Sequence, residues 1–141
     1  MKKILFIIFI VFTSCKNNNQ KIEIPKNVDD NFNIFLKYFS KDSIFQISRV
    51  NFPLKVKELD SDENFETIEK NIDISEYKKI NLNYSNENLT KETDKYSQNI
   101  KIGTDKAVIE IRGIDNGIHT DIVFEKKKGK WKLITWIDSS T

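Results

Sequence analysis

Apolar residues recur at three- and four-residue spacing through DDNFNIFLKYFSKD, so Phe32, Phe35, Leu36 and Phe39 fall on one face of a predicted helix. Asp29 or Asp30 is placed to cap it. Asp42 is placed to cap a second short helix, Ser43 to Arg49, which carries Phe45 and Val50 toward the same interior. The period then changes to two. Val50, Phe52, Leu54 and Val56 alternate with other residues as a strand, and Pro53, which has no N–H to give a ladder, confines that strand to an edge or a bulge. Between Asp60 and Ile80 the pattern is mixed: Phe65, Ile68 and Ile72 predict a helix, and Ser75 is placed to cap a short turn holding Tyr77. Ile80, Leu82 and Tyr84 alternate as a brief strand.

The last third carries four strand patterns, QNIKIG, KAVIEIRGI, IHTDIVFEK and KWKLITWID, separated by turn residues, which predicts an antiparallel meander. A two-residue turn at Asn116 and Gly117 pairs Asp115 with Ile118, sets Ile111 opposite Ile122 and sets Ile109 opposite Phe124. A second such turn at Lys128 and Gly129 sets Phe124 opposite Leu133, Lys126 opposite Trp131 and Thr120 opposite Ile137. One sheet face is then a largely apolar floor for the aromatic helix. On the other, Arg112 falls beside Asp121, Asp121 beside Trp136, His119 beside Asp138 and Val123 beside Ile134. Val123, Ile134 and Trp136 form an apolar strip there, which predicts an interface with another segment, another protein or a second copy of the chain.

The apolar run Ile4 to Phe12 follows Lys2 and Lys3 and is nine residues long, short of the roughly twenty needed to span a bilayer. It reads as a signal peptide over residues 1–14. The stretch Phe12, Thr13, Ser14, Cys15 resembles the bacterial lipobox, in which cleavage leaves an acylated cysteine at the new amino terminus. Cys15 is the single cysteine of the chain, which fits lipidation at that site. Several acyl chains hold a protein firmly on a membrane. Residues 15–27 are polar, carry Pro25 and lack periodicity, so they read as a tether to a single domain over 28–141. Lys16 and three asparagines stand where surface-exported Bacteroidota lipoproteins carry acidic residues, and that resemblance implies a lipid-anchored, periplasm-facing protein of the bacterial cell envelope.

Charge changes the picture little. The chain has 23 basic and 21 acidic residues, and loss of the leader with its two lysines brings these into balance. A balanced charge argues against a nucleic-acid partner. The basic run from Lys126 to Lys130 reads as a solvated hairpin tip. One histidine and one lipidated cysteine leave no usual zinc site, no phosphate-binding loop or hydrolase motif is present, and no cofactor is expected. Asp60, Asp62 and Glu63 sit in a polar loop, and no nucleophile stands near His119.

The stretch FLKYFSKDSIFQISRVNFPL, with Phe35, Phe39, Asp42, Phe45, Gln46, Arg49, Phe52, Pro53 and Leu54, followed downstream by GKWKLITWID, resembles a Bacteroidota lipoprotein family, domain of unknown function 4348. The resemblance covers most of Asp29 to Ser139. It implies the nuclear-transport-factor-two-like and cystatin-like architecture: α+β, an N-terminal helix or helix pair packed on a curved antiparallel sheet that ends in a three- to four-strand meander. Within that motif Gln46 and Arg49 are polar among apolar neighbours. They either satisfy backbone groups or a carboxylate where helix meets sheet, or contact a ligand in a pocket with Tyr38, Phe39, Phe45 and Tyr84. The functional expectation is a noncatalytic domain that binds an envelope protein or small ligand. The alternative is a small ketosteroid-isomerase-like enzyme with a cavity between helix and sheet.

Overall fold

Asn31, rather than either aspartate before it, starts the aromatic helix. In the computed structural model, which describes residues 22–60, 66–83 and 95–141, helix α1 spans Phe32–Lys41. The Asn31 side chain accepts from the backbone N–H groups of Asn33 and Ile34 at 2.9 and 3.2 Å, closing two of the donors a helix start leaves open. Asp29 and Asp30 lie one turn earlier in a short 3-10 turn, Val28–Asp30. Helix α2, Ser43–Ser48, has the expected cap: Asp42 Oδ1 accepts from Phe45 N at 2.7 Å. The expected leader over 1–14, Cys15, Asp62, Glu63, Phe65 and Tyr84 lie outside the described residues.

Among the described residues six strands form one sheet: β1 Val50–Leu59, β2 Thr67–Ile72, β3 Tyr96–Ile102, β4 Lys106–Gly113, β5 His119–Lys127 and β6 Lys130–Asp138, in the order β2-β1-β6-β5-β4-β3. Strands β3 to β6 make the expected antiparallel meander. The sheet as a whole is mixed, because β1 runs parallel to β6. Pro53 sits where that pairing shifts register, between Val50 and Lys55, so of edge and bulge it is the bulge that accommodates it.

The segment expected to be helical through Ile68 and Ile72 is instead β2, antiparallel to β1 with Leu54 opposite Ile72. A spacing of four places two residues on one face of a helix and equally on one face of a strand, and the second option extends the sheet beyond β1. The turn Ile74–Glu76 is closed by the Asp73 carbonyl, which accepts from Glu76 N and Tyr77 N, with no cap from Ser75. Ile80 and Leu82 lie in irregular chain. Their backbone polar groups bond to side chains, Gln46 for Ile80 and Ser40 and Gln98 for Leu82, so alternation here marks burial without a neighbouring strand.

Strands β4 and β5 pair two residues away from the expected register: Ile109 faces Ile122, Ile111 faces Thr120 and Ala107 faces Phe124. An even slide keeps every side chain on its face. Its cause is a longer turn. Gly113 N bonds Ile118 O, and the Asn116 side chain folds beneath the loop, accepting from Ile118 N and donating to Lys95 O. A Cβ at Gly113 would fall 1.7 Å from Asn116 Oδ1, which explains the glycine. The β5–β6 turn is as expected, with Lys128 and Gly129 both at positive φ and Lys126 opposite Trp131. Past Phe124, which faces Leu133, Val123 faces Thr135, so Ile134 is an extra residue in β6. The bulge moves Trp136 opposite Ile122, Ile137 opposite Asp121 and Asp138 opposite Thr120, in place of the pairs expected.

Helix α1 packs on the inner sheet face. The Phe124 ring lies 5.2 to 5.7 Å from those of Phe32, Phe35 and Phe39, edge-on to each. Phe35, Phe39, Leu54, Ile109, Phe124 and Leu133 are fully buried.

Candidate functional site

Gln46 is fully buried, and its amide is saturated by the protein. Nε2 donates to the carbonyls of Phe39 at 2.7 Å and Ile80 at 2.8 Å, while Oε1 accepts from Tyr77 Oη and Ile80 N, both at 2.9 Å. Two donors and two lone pairs are the whole capacity of a carboxamide. Arg49 is engaged similarly. Nη1 and Nη2 donate to the two oxygens of Asp29, Nη1 also reaches Trp131 O at 3.4 Å, and the guanidinium lies 4.8 Å from the Phe45 ring. Of the two roles open to Gln46 and Arg49, the geometry supports the structural one. They fasten α2 to the 77–80 segment and to the start of β6.

Of the residues expected to line a pocket, Tyr84 lies outside the described residues, and among the described ones Tyr38, Phe39 and Phe45 do not border one space. Phe39 is fully buried, Tyr38 packs half-buried against the core, and Phe45 borders a shallow depression shared with Ile22, Ile24, Asp42, Ile44 and Ser48. The interval between α1 and the sheet is filled by the Phe35, Phe39 and Phe124 rings.

The larger opening lies at the other end of the sheet, where residues 76–80 cross over β2, β1 and β6. It has a volume of about 360 Å³ and is lined by Leu54, Ile72, Tyr77, Ile80 and Trp136, with Glu76, Lys78 and Lys79 in its wall. Tyr77 closes one side, packed edge-on against Phe52 at 5.4 Å and hydrogen-bonded to Gln46. Burial pushes its phenol well above the ordinary value of 10.0, so it stays protonated as a donor. Glu76 is exposed, and its carboxylate accepts from Asp73 N at 3.4 Å. The cleft thus offers an apolar wall with no buried acid or histidine among its described lining residues. The sequence hinted at it through an unexplained tryptophan in β6 and through Ile72 and Ile80.

Trp136 was expected beside Val123 and Ile134. The bulge at Ile134 turns it to the inner face, where it meets the core and the cleft, while Val123 points away from the core cluster toward Val108 and Thr135. The three do not make one strip. Arg112 does reach Asp121 at 2.7 Å, diagonally, because the slid register puts His119 opposite Arg112. Asp138 bonds Thr120 and Ser140 in place of His119. On the same outer face Glu110 is held below the usual carboxylate range, chiefly by the hydrogen bond from Lys101. Among the described residues no group of three acidic, histidine or cysteine side chains is placed to hold a metal.

The family described as Domain of unknown function (DUF4348) matches residues 15–138. The chain belongs to this family. No curated protein matches it. Similar solved structures include an NTF2-like protein from Bacteroides fragilis NCTC 9343, 25% identical, with a TM-score of 0.59 over 85% of this chain and 50% of that one. A cystatin-like protein from Bacteroides caccae ATCC 43185 is 20% identical, with a TM-score of 0.53 over 75% of this chain and 74% of its own. The DUF4348 chain spans about half the length of the B. fragilis protein. These likenesses agree with the α+β architecture of short helices followed by a six-strand curved sheet. In this DUF4348 domain the aromatic core fills the space under α1, and among the described residues a cleft stands open at Trp136.

Proposed function

We propose that this DUF4348 protein is a noncatalytic binding domain of the bacterial cell envelope, anchored through an acylated Cys15 and facing the periplasm, whose Trp136 cleft takes up an apolar ligand or the apolar side chains of an envelope protein. The cleft carries the reading. It presents Leu54, Ile72, Tyr77, Ile80 and Trp136 to an open volume; the Tyr77 hydroxyl and Ile80 N–H beside it are already bonded within the fold, while the buried Trp136 Nε1–H has no hydrogen-bond partner among the described residues. Apolar concavities of this size with few polar groups suit recognition better than proton transfer. The anchor is supported by the charged start, the short apolar run and the lone cysteine after Ser14.

Anilinonaphthalene sulfonate, an apolar anionic probe, tests the cleft. Its fluorescence should rise with saturable binding to the mature chain, and Trp136→Ala should abolish that binding. Probe binding that Trp136→Ala leaves intact would place the ligand elsewhere. The anchor is tested separately by labelled palmitate, which should enter the protein and be lost in Cys15→Ser.

A further inference from the structure

The outer surface of the helical layer is apolar and basic. Ile34, Ile44 and Ile47 are 43%, 81% and 37% exposed, and Ile22, 37% exposed, shares a shallow depression with Ile44. Neither α1 nor α2 contains an acidic residue. Ile34, Lys37 and Lys41 follow at three- and four-residue spacing along one exposed stripe of α1, and Lys79 joins them by donating to the Lys41 carbonyl at 2.7 Å. Of the nearby carboxylates, Asp42 is engaged in the α2 cap and Asp29 with Arg49, while Glu23 and Asp30 stand exposed.

Chain length limits what this face can meet. Ile22 lies seven chain steps after Cys15, and fully extended chain spans at most about 25 Å over that interval. If Cys15 is held in a bilayer, Ile22 lies within that distance of the head groups, and the patch begins at Ile22. Isoleucines entering the acyl boundary beside lysines at anionic phosphates is the arrangement of interfacial membrane contacts. We propose that the α1–α2 face docks on the bilayer surface, with Ile44 and Ile47 inserted and Lys37, Lys41 and Lys79 among anionic head groups, orienting the domain on its anchor. The inference rests on the lipid-anchor reading above.

The mature chain, coupled through the Cys15 thiol to a maleimide lipid in phosphatidylcholine–phosphatidylglycerol vesicles, tests it. A photoreactive benzoylphenylalanine replaces Ile44, or in a second sample Ile114, which is similarly apolar and exposed but lies in the β4–β5 loop. Docking predicts adducts with lipid acyl chains from position 44 and none from 114. Equal adducts at both, none at 44, or adducts from 44 to a second protein chain would overturn it. Because the coupling is chemical, failure of palmitate labelling in cells would refute the natural anchor without altering this readout.

Discussion

Arg49 holds Asp29 at two points, Nη1 on Oδ1 and Nη2 on Oδ2, each at 2.9 Å, across a gap of twenty residues in sequence. Asp29 Oδ1 also accepts from Trp131 N at 2.9 Å, so one carboxylate ties the chain's entry to the C-terminus of α2 and to the start of β6. The side chains are only 11% and 13% exposed. Removing one partner therefore leaves a poorly hydrated charge. Asp29→Ala should destabilise the domain by about 3 kcal/mol in urea unfolding, and Arg49→Lys should lose much of the same stability because an ammonium cannot make the forked contact. A cost near zero for Asp29→Ala would show the pair to be solvent-screened.

Gln46 makes a second prediction. Gln46→Leu preserves approximate volume but strands the Tyr77 hydroxyl, Ile80 N–H and the carbonyls of Phe39 and Ile80. The expected loss is on the order of 3 kcal/mol. Hydrogen exchange at Ile80 N–H should accelerate together with the fall in stability. An Ile80 amide as protected as in the parent would contradict the bonding described.

Tyr77 gives a pH signature. Its phenol is pushed above 10.0 by burial, so the unfolded chain ionises before the folded one. The group's contribution is complete below pH 10 and is lost as pH rises through the folded value. Tyr77→Phe removes the hydrogen bond to Gln46, costing about 1 kcal/mol at neutral pH, and also removes this alkaline loss. Stability of the variant should fall less steeply above pH 10 than that of the parent, as measured by denaturant unfolding across pH; parallel curves would argue against burial of the phenol.

The elements easiest to read in the sequence were those whose period had one meaning. The stripe of Phe32, Phe35, Leu36 and Phe39 and the alternation of the last four strands each locate a buried face, and α1 and β3 to β6 follow. Ile68 and Ile72 carried an ambiguous spacing, which only the free edge of β1 resolves into β2. Ile80 and Leu82 alternate like a strand because both are inward, yet Gln46, Ser40 and Gln98 serve their backbones. The cleft was hidden for a related reason: it depends on where residues 76–80 cross the sheet and on a bulge, and neither leaves a periodic trace.

That bulge supplies the last prediction. Ile134 is the residue of β6 without a counterpart on β5, lying between the Phe124–Leu133 and Val123–Thr135 pairs. Deleting it would join Leu133 directly to Thr135 and leave every remaining pair, including Ile122 with Trp136, on its present face. A deletion in a central strand would ordinarily flip all that follows; here it should instead regularise the ladder. The variant should fold with a loss of about 1–3 kcal/mol, from the lost isoleucine contacts and the altered twist. Trp136 fluorescence should keep the emission wavelength of the parent. A red-shifted emission, reporting Trp136 turned to solvent, would show that the extra residue has been placed wrongly along β6.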